Sequence, residues 1–128
     1  MRIPSHALII DDCQKDSLII KRILAKEWPG LLVERVETAT ALSEALDQRE
    51  WDCIICDMVL PGFGAPAALD IIRKTGSDLP FIIVSANVNI ADVISLLKAG
   101  ANDFVRMDEL ARLVPSIARS MEDVEILR

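Results

Sequence analysis

Five times along this chain, a short apolar run is followed by an amphipathic stretch of helical period. That alternation constrains the fold more than any other feature. A strand that is apolar on both faces must be covered on both, and parallel strands joined by helical crossovers achieve this. The reading is an α/β chain of five βα units around one parallel sheet, with helices on both faces.

The first unit has a strand at His6–Ile10 and a helix from about Gln14 to Trp28, stopped by Pro29-Gly30. Its apolar stripe is read as Leu18, Ile19 and Ile23, with Arg22 and Lys26 on the charged back. The second places a strand at Leu32–Val36 and a helix at Ala39–Gln48, with Thr38 or Thr40 as cap. Cys53–Cys56 is the central strand; the loop Leu60–Gly64 then turns into a helix ending near Lys74 to Gly76. The fourth strand, Phe81–Val84, leads to a helix at Ile90–Ala99 closed by Gly100. The fifth strand, Asp103–Arg106, precedes a long helix from about Glu109, with Leu110, Leu113, Val114, Ile117, Met121 and Val124 at helical spacing.

A chain of 128 residues can bury one core without disulfides or a structural metal. With no linker, repeat or low-complexity segment in view, residues 1–128 read as one domain, its core spanning about 6–121. Residues 122–128 read as a helical tail, because Met121, Val124 and Leu127 carry the stripe past the expected reach of the sheet. A dimer contact, a connection to another domain or a frayed end would each account for that tail.

At 52% hydrophobic and 27% charged, the composition is that of a soluble globular protein, and no apolar run is long enough to cross a bilayer. The first residues lack the apolar core of a secretory signal, so a cytoplasmic location is expected. A net charge of −6 argues against nucleic-acid binding by phosphate neutralisation. Three cysteines, an odd number, are read as free thiols.

In an open parallel sheet the ligand crevice lies at the carboxyl ends of the strands. Asp11, Asp12, Asp57 and Ser85 all fall at that edge. Converging carboxylates repel one another, and a hard divalent cation such as Mg²⁺ relieves them. With the cation bound, a carboxylate with one free oxygen can attack a phosphoryl group, and Asp57 is the candidate. The Ser85 hydroxyl could bond to the new phosphoryl oxygens and draw its loop inward.

The segments LIIDD, CDMVLPG around Asp57, VSA at Ser85 and AGANDFV near Gly100 resemble the signature of response-regulator receiver domains, most of all those of hybrid sensor kinases. The resemblance runs from Ala7 to about Met121 and implies a flavodoxin-like, doubly wound (βα)5 fold. It implies that Asp12 binds Mg²⁺ directly and Asp11 more through water. Asp57 would be both phosphoacceptor and metal ligand, and the Val59 carbonyl would supply another oxygen. Ser85 takes the place of the switch hydroxyl and Phe104 that of the switch aromatic, here lacking the hydroxyl of the commoner Tyr. The implied partners are a histidine kinase or phosphotransfer protein, with a homodimer or effector contact on the face of the fourth and fifth units.

The departure from the family is at Met107, which stands where these domains carry a phosphate-contacting Lys. A one-residue slip would bring in Arg106, but the DELARL that follows resembles the same stretch in receiver domains of hybrid sensor kinases without a gap, and strand alternation points Arg106 to the opposite face, although its long stem could curl back toward the site. Losing the Lys removes a charge-assisted hydrogen bond worth about 1.5–3 kcal/mol while leaving nucleophile and metal site in place.

Plainer readings compete with each feature. An acidic pair after a strand is often a solvated loop or helix cap; Asp57 and Ser85 at matching strand ends shift the balance for Asp11-Asp12. Cys53 and Cys56 have the spacing of a redox pair but lie inside a strand and on opposite faces, so core packing is expected. Cys13 is taken as incidental and His6, at the far end of its strand, as a surface or capping residue. Two other functions remain open: a phosphorylation-independent interaction module, motivated by Met107, and a phosphohydrolase using Asp57. The second lacks an acid two residues on, where Val59 stands, and no dinucleotide glycine loop follows the first strand.

Overall fold

The computed structural model describes residues 3–60, 62–86 and 89–127, the side chains of 59–60 and 125–127 excepted. The strands are β1 (His6–Ile10), β2 (Leu32–Val36), β3 (Cys53–Cys56), β4 (Val59–Leu60), β5 (Phe63–Gly64), β6 (Phe81–Ser85) and β7 (Asp103–Arg106). The helices are α1 (Gln14–Glu27), α2 (Ala39–Gln48), α3 (Ala65–Lys74), α4 (Ile90–Ala99) and α5 (Leu113–Leu127), with a 3₁₀ segment at Met107–Arg112. Five strands form one parallel sheet in the order β2-β1-β3-β6-β7. The (βα)5 doubly wound reading therefore holds.

Side-chain alternation divides the core into two layers. Leu8, Ile10, Ile54, Cys56, Phe81 and Ile83 face α2, α3 and α4, meeting Leu42, Leu69, Ile72 and Leu96. Ala7, Ile9, Cys53, Ile55, Ile82, Val84 and Val105 face α1 and α5, meeting Ile20, Leu24, Leu113 and Ile117. Cys53 and Cys56 thus pack on opposite faces, both buried and neither in a disulfide.

Local chemistry sets the helix ends. The Thr38 hydroxyl accepts from the Ala41 N–H at 3.0 Å, and the Asn89 side chain accepts from the Asp92 N–H at 3.2 Å. Gly100 closes α4 at φ 119°, a conformation that a Cβ would strain. Cys13 is the N-cap of α1, its sulfur accepting from the Asp16 N–H at 3.5 Å.

Four details depart from the sequence reading. The 60–64 loop contains an antiparallel hairpin, β4 with β5. The buried face of α1 is Ser17, Ile20 and Leu24, while Leu18 and Ile19 are exposed. Apolar residues occupy more than one row of this helix, and the phase set by the Cys13 cap turns the 17-20-24 row to the sheet. The last helix begins at Leu113 and not at Glu109, whose backbone is non-helical. Pro115 explains this, since proline is tolerated in a first turn and breaks a helix interior. Met121 and Val124 are buried, 1% and 8% exposed. They belong to the core and not to a tail beyond it; the Leu127 side chain lies outside the described residues.

Candidate metal and phosphoacceptor site

The register of the two central strands builds the site. Ile10 pairs with Cys56, so the residues that follow, Asp11 and Asp57, emerge side by side. The Asp57 N–H donates to the Ile10 carbonyl at 2.9 Å, and the Asp11 N–H to the Val36 carbonyl at 3.1 Å. This is where the chain winds from one side of the sheet to the other, since β2 lies beyond β1 and β6 beyond β3. Such switch points open a crevice at the carboxyl edge.

Carboxylate oxygens of Asp11, Asp12 and Asp57 lie within 4.8 Å of one another, the one such group among the described residues. Around a Mg²⁺ ion at about 2.1 Å, octahedral oxygens stand about 3 Å apart when adjacent and about 4.2 Å when opposite. The three oxygens therefore fit one hard cation with small side-chain adjustments, and all of them are the hard donors that Mg²⁺ prefers. The backbone of Val59, at the start of β4, lies two residues past Asp57.

The electrostatics favour a cation. Burial pushes the Asp11 carboxyl up to about 6, opposed by the hydrogen bond from the Cys13 N–H, with the charges of Asp57, Asp16 and Asp12 adding to the rise. Burial likewise lifts the Cys56 thiol well above its ordinary range, helped by Asp57 and Asp11. Cys56 is thus held as a thiol and donates to the Asp57 carbonyl at 3.1 Å, a packing role and not a redox one.

A cleft of about 310 Å³ opens beside the carboxylates, lined by Asp11, Asp16, Asp57, Val84, Ser85, Ala86 and Met107. Larger hollows lie between α3 and α4 and at the amino edge near Trp51 and Pro80, but neither brings three carboxylates into coordination range. The sequence-predicted Asp57, Ser85 and Met107 thus meet in one cleft, with Asp12 joining through the carboxylate group. Phe104 is not part of the lining; it packs, partly buried, on the α2–α4 face of the sheet. Met107 packs toward the α1–α5 face. Arg106 donates to Asp108 at 2.8 and 3.0 Å and lies 3.8 Å from Glu109. Its guanidinium is held by those carboxylates, and among the described residues no basic side chain lines the cleft.

Two residues at the site escaped the sequence reading. Asp16 lines the cleft from the first turn of α1, and its position four residues past Asp12 was the available signal. Arg35, on edge strand β2, donates to the Asp11 backbone carbonyl at 3.1 Å and is itself held by the Glu37 carboxylate. A half-buried guanidinium thereby fixes the loop that carries the acidic pair. Only the charge in mid-strand hinted at this.

Comparison with known proteins agrees with this architecture. Residues 7–115 match the family described as "Response regulator receiver domain". "Uncharacterized transcriptional regulatory protein YkoG" of Bacillus subtilis (strain 168) is 31% identical over 100 residues, covering 78% of this chain and 43% of that protein. This chain spans about half the length, or less, of such curated relatives. The crystal structure of NtrX from Brucella abortus in complex with ATP superposes with a TM-score of 0.88 at 26% identity, over 98% of this chain and 29% of that one. In fold, the signal receiver domain of a signal transduction histidine kinase from Syntrophus aciditrophicus matches with a TM-score of 0.77 at 23% identity, covering 94% and 92% of the two chains. With the sheet order, the carboxylate group and the match across residues 7–115 in agreement, the chain belongs to the response regulator receiver domain family, a family of two-component signalling modules that are not generally enzymes.

Proposed function

We propose that this chain is the phosphoacceptor of a two-component phosphorelay, with Asp57 taking a phosphoryl group from a histidine kinase or phosphotransfer protein. The observation that carries the reading is the approach of three carboxylates to within 4.8 Å at the switch point, beside a cleft that also holds Ser85. Asp11, Asp12, Asp57 and the Val59 carbonyl would hold Mg²⁺, which when bound offsets charge on the transferring oxygens. An Asp57 carboxylate oxygen attacks phosphorus, the donor's N–P bond breaks, and an acyl phosphate forms. Ser85 then donates its hydroxyl to the phosphoryl oxygens, and Phe104 follows as the switch aromatic.

Exposed Leu18 and Ile19 on α1, beside the acidic pair, offer the phosphodonor an apolar contact. Ile90, Ile94 and Leu97 form an exposed row on α4, which suits an effector or a second copy at the fourth and fifth units. The module is read as cytoplasmic, binding neither membrane nor nucleic acid itself; among the described residues no helix is long and apolar enough to cross a membrane. Met107 in the lining, where the family Lys would stand, makes the coupling of phosphorylation to conformation weak or altered. It also favours a second reading, an interaction module that signals without phosphorylation.

Incubation with acetyl phosphate, with Mg²⁺ or with EDTA, followed by intact mass, separates the two readings. The phosphorelay reading requires one added phosphoryl group in Mg²⁺, none in EDTA and none in Asp57→Asn. No gain in a folded wild type, alongside a receiver that does react, favours the binding-only module.

A further inference from the structure

We propose that Met107 is a site of oxidation to the sulfoxide that lowers phosphoryl uptake at the adjacent carboxylate. The consequence for uptake, though not the modification, rests on the function proposed above. The chain has four methionines; Met58 and Met121 are 6% and 1% exposed, whereas Met107 is only partly buried and lines the cleft. An oxidant entering from solvent therefore reaches the Met107 sulfur in the native state, while Met58 and Met121 are reached only when the fold opens.

The step is balanced with a peroxide as co-reactant. A sulfur lone pair attacks one peroxide oxygen, the O–O bond breaks, and an S–O bond forms as the other oxygen leaves as water. Sulfur is oxidised by two electrons and the peroxide is reduced by two.

The change matters because of what else lines the cleft. With the carboxylates ionised, Ser85 carries the one side-chain donor among the described lining residues. A thioether asks nothing of that donor, being a weak acceptor. A sulfoxide oxygen is a strong acceptor placed among carboxylates, and it competes with the incoming phosphoryl oxygens for Ser85. Where it draws the Ser85 hydroxyl to itself, an incoming phosphoryl oxygen loses that donor. Leaving one acceptor unpaired at that moment slows uptake about tenfold.

The test treats the folded protein with dilute hydrogen peroxide and then dithiothreitol, which reverses sulfenate and disulfide at Cys13 but leaves a sulfoxide intact. Peptide masses report which methionine gained oxygen, and acetyl phosphate uptake in Mg²⁺ is compared before and after treatment, with Met107→Leu carried through the same steps. The expected result is oxidation at Met107 ahead of Met58 and Met121, an uptake rate lowered about tenfold in wild type, and a treated-to-untreated ratio near one in Met107→Leu. Oxidation of Met58 or Met121 as fast as Met107 overturns the site. Met107 oxidised with no change in uptake overturns the consequence. If untreated protein takes up no phosphoryl group, the functional reading falls and the effect on uptake falls with it, while the peptide masses still decide the site.

Discussion

Replacing Asp11 by Asn should stabilise the metal-free protein at alkaline pH and leave it unchanged in acid. The Asp11 carboxyl titrates at about 6 in the fold against 3.8 as its ordinary value, with burial the main cause. The folded state therefore binds this proton more tightly than the unfolded chain does. The stability linked to that proton is fully present below about 4 and is lost as pH rises through about 6. A shift of about two units corresponds to about 3 kcal/mol, borne by the wild type at pH 8. Asn is close to isosteric and its side-chain oxygen can still accept from the Cys13 N–H, so the substitution removes the charge and keeps the local hydrogen bond. Urea denaturation in EDTA should show Asp11→Asn more stable by up to about 3 kcal/mol at pH 8, which in a thermal melt is roughly 10 °C, with the two proteins converging near pH 4. Adding Mg²⁺ should close the gap at pH 8 by stabilising wild type more than the variant. A gap of the same size at pH 4 and pH 8, or a variant less stable at pH 8, would refute the electrostatic account of the cleft.

Other elements of the structure make separate predictions. Arg35→Met frees the carbonyl of Asp11, so Mg²⁺ affinity by calorimetry should fall several-fold while Arg35→Lys retains most of it; equal affinity in all three would remove Arg35 from the site. Arg73 donates to the carbonyls of Ser77, Leu79 and Gly100 and to the Asn102 side chain at 2.7–3.3 Å, tying the α3–β6 turn to the α4–β7 turn. Arg73→Ala should cost about 1–3 kcal/mol in urea denaturation, because the part-buried carbonyls of Ser77 and Leu79 lose a charged donor. Met121→Ala should cost about 2–5 kcal/mol, the figure for a core site, whereas a solvated tail would give almost none.

Much of this arrangement was legible in the chain because the strongest signals are local. The run CIIC is apolar at every position, which marks a central strand, and Asp57 follows it immediately. Asp11 and Ser85 were placed at the same edge by topology alone, since each ends a parallel strand. What stayed hidden depends on phase and on distant partners. Leu18 and Ile19 are as apolar as Ile20, and only the cap and the sheet decide which row is buried. Pro115 was visible, and its cost to a helix begun at Glu109 was the signal for the 3₁₀ segment. Arg35 acts on a backbone atom 24 residues away, a contact that no spacing rule contains. The same holds for Asp16, whose place in the cleft depends on how α1 is set against the carboxyl edge.

The central claim is that Asp57, among the four acidic residues gathered at this edge, carries the phosphoryl group. Sodium borohydride reduces an acyl phosphate to the corresponding alcohol, so a pulse of acetyl phosphate with Mg²⁺ followed by borohydride and peptide sequencing by mass marks the acceptor. The account predicts homoserine at position 57 and unaltered aspartate at 11, 12 and 16. Homoserine at one of those three positions instead, or aspartate at all four in a folded protein, would contradict it.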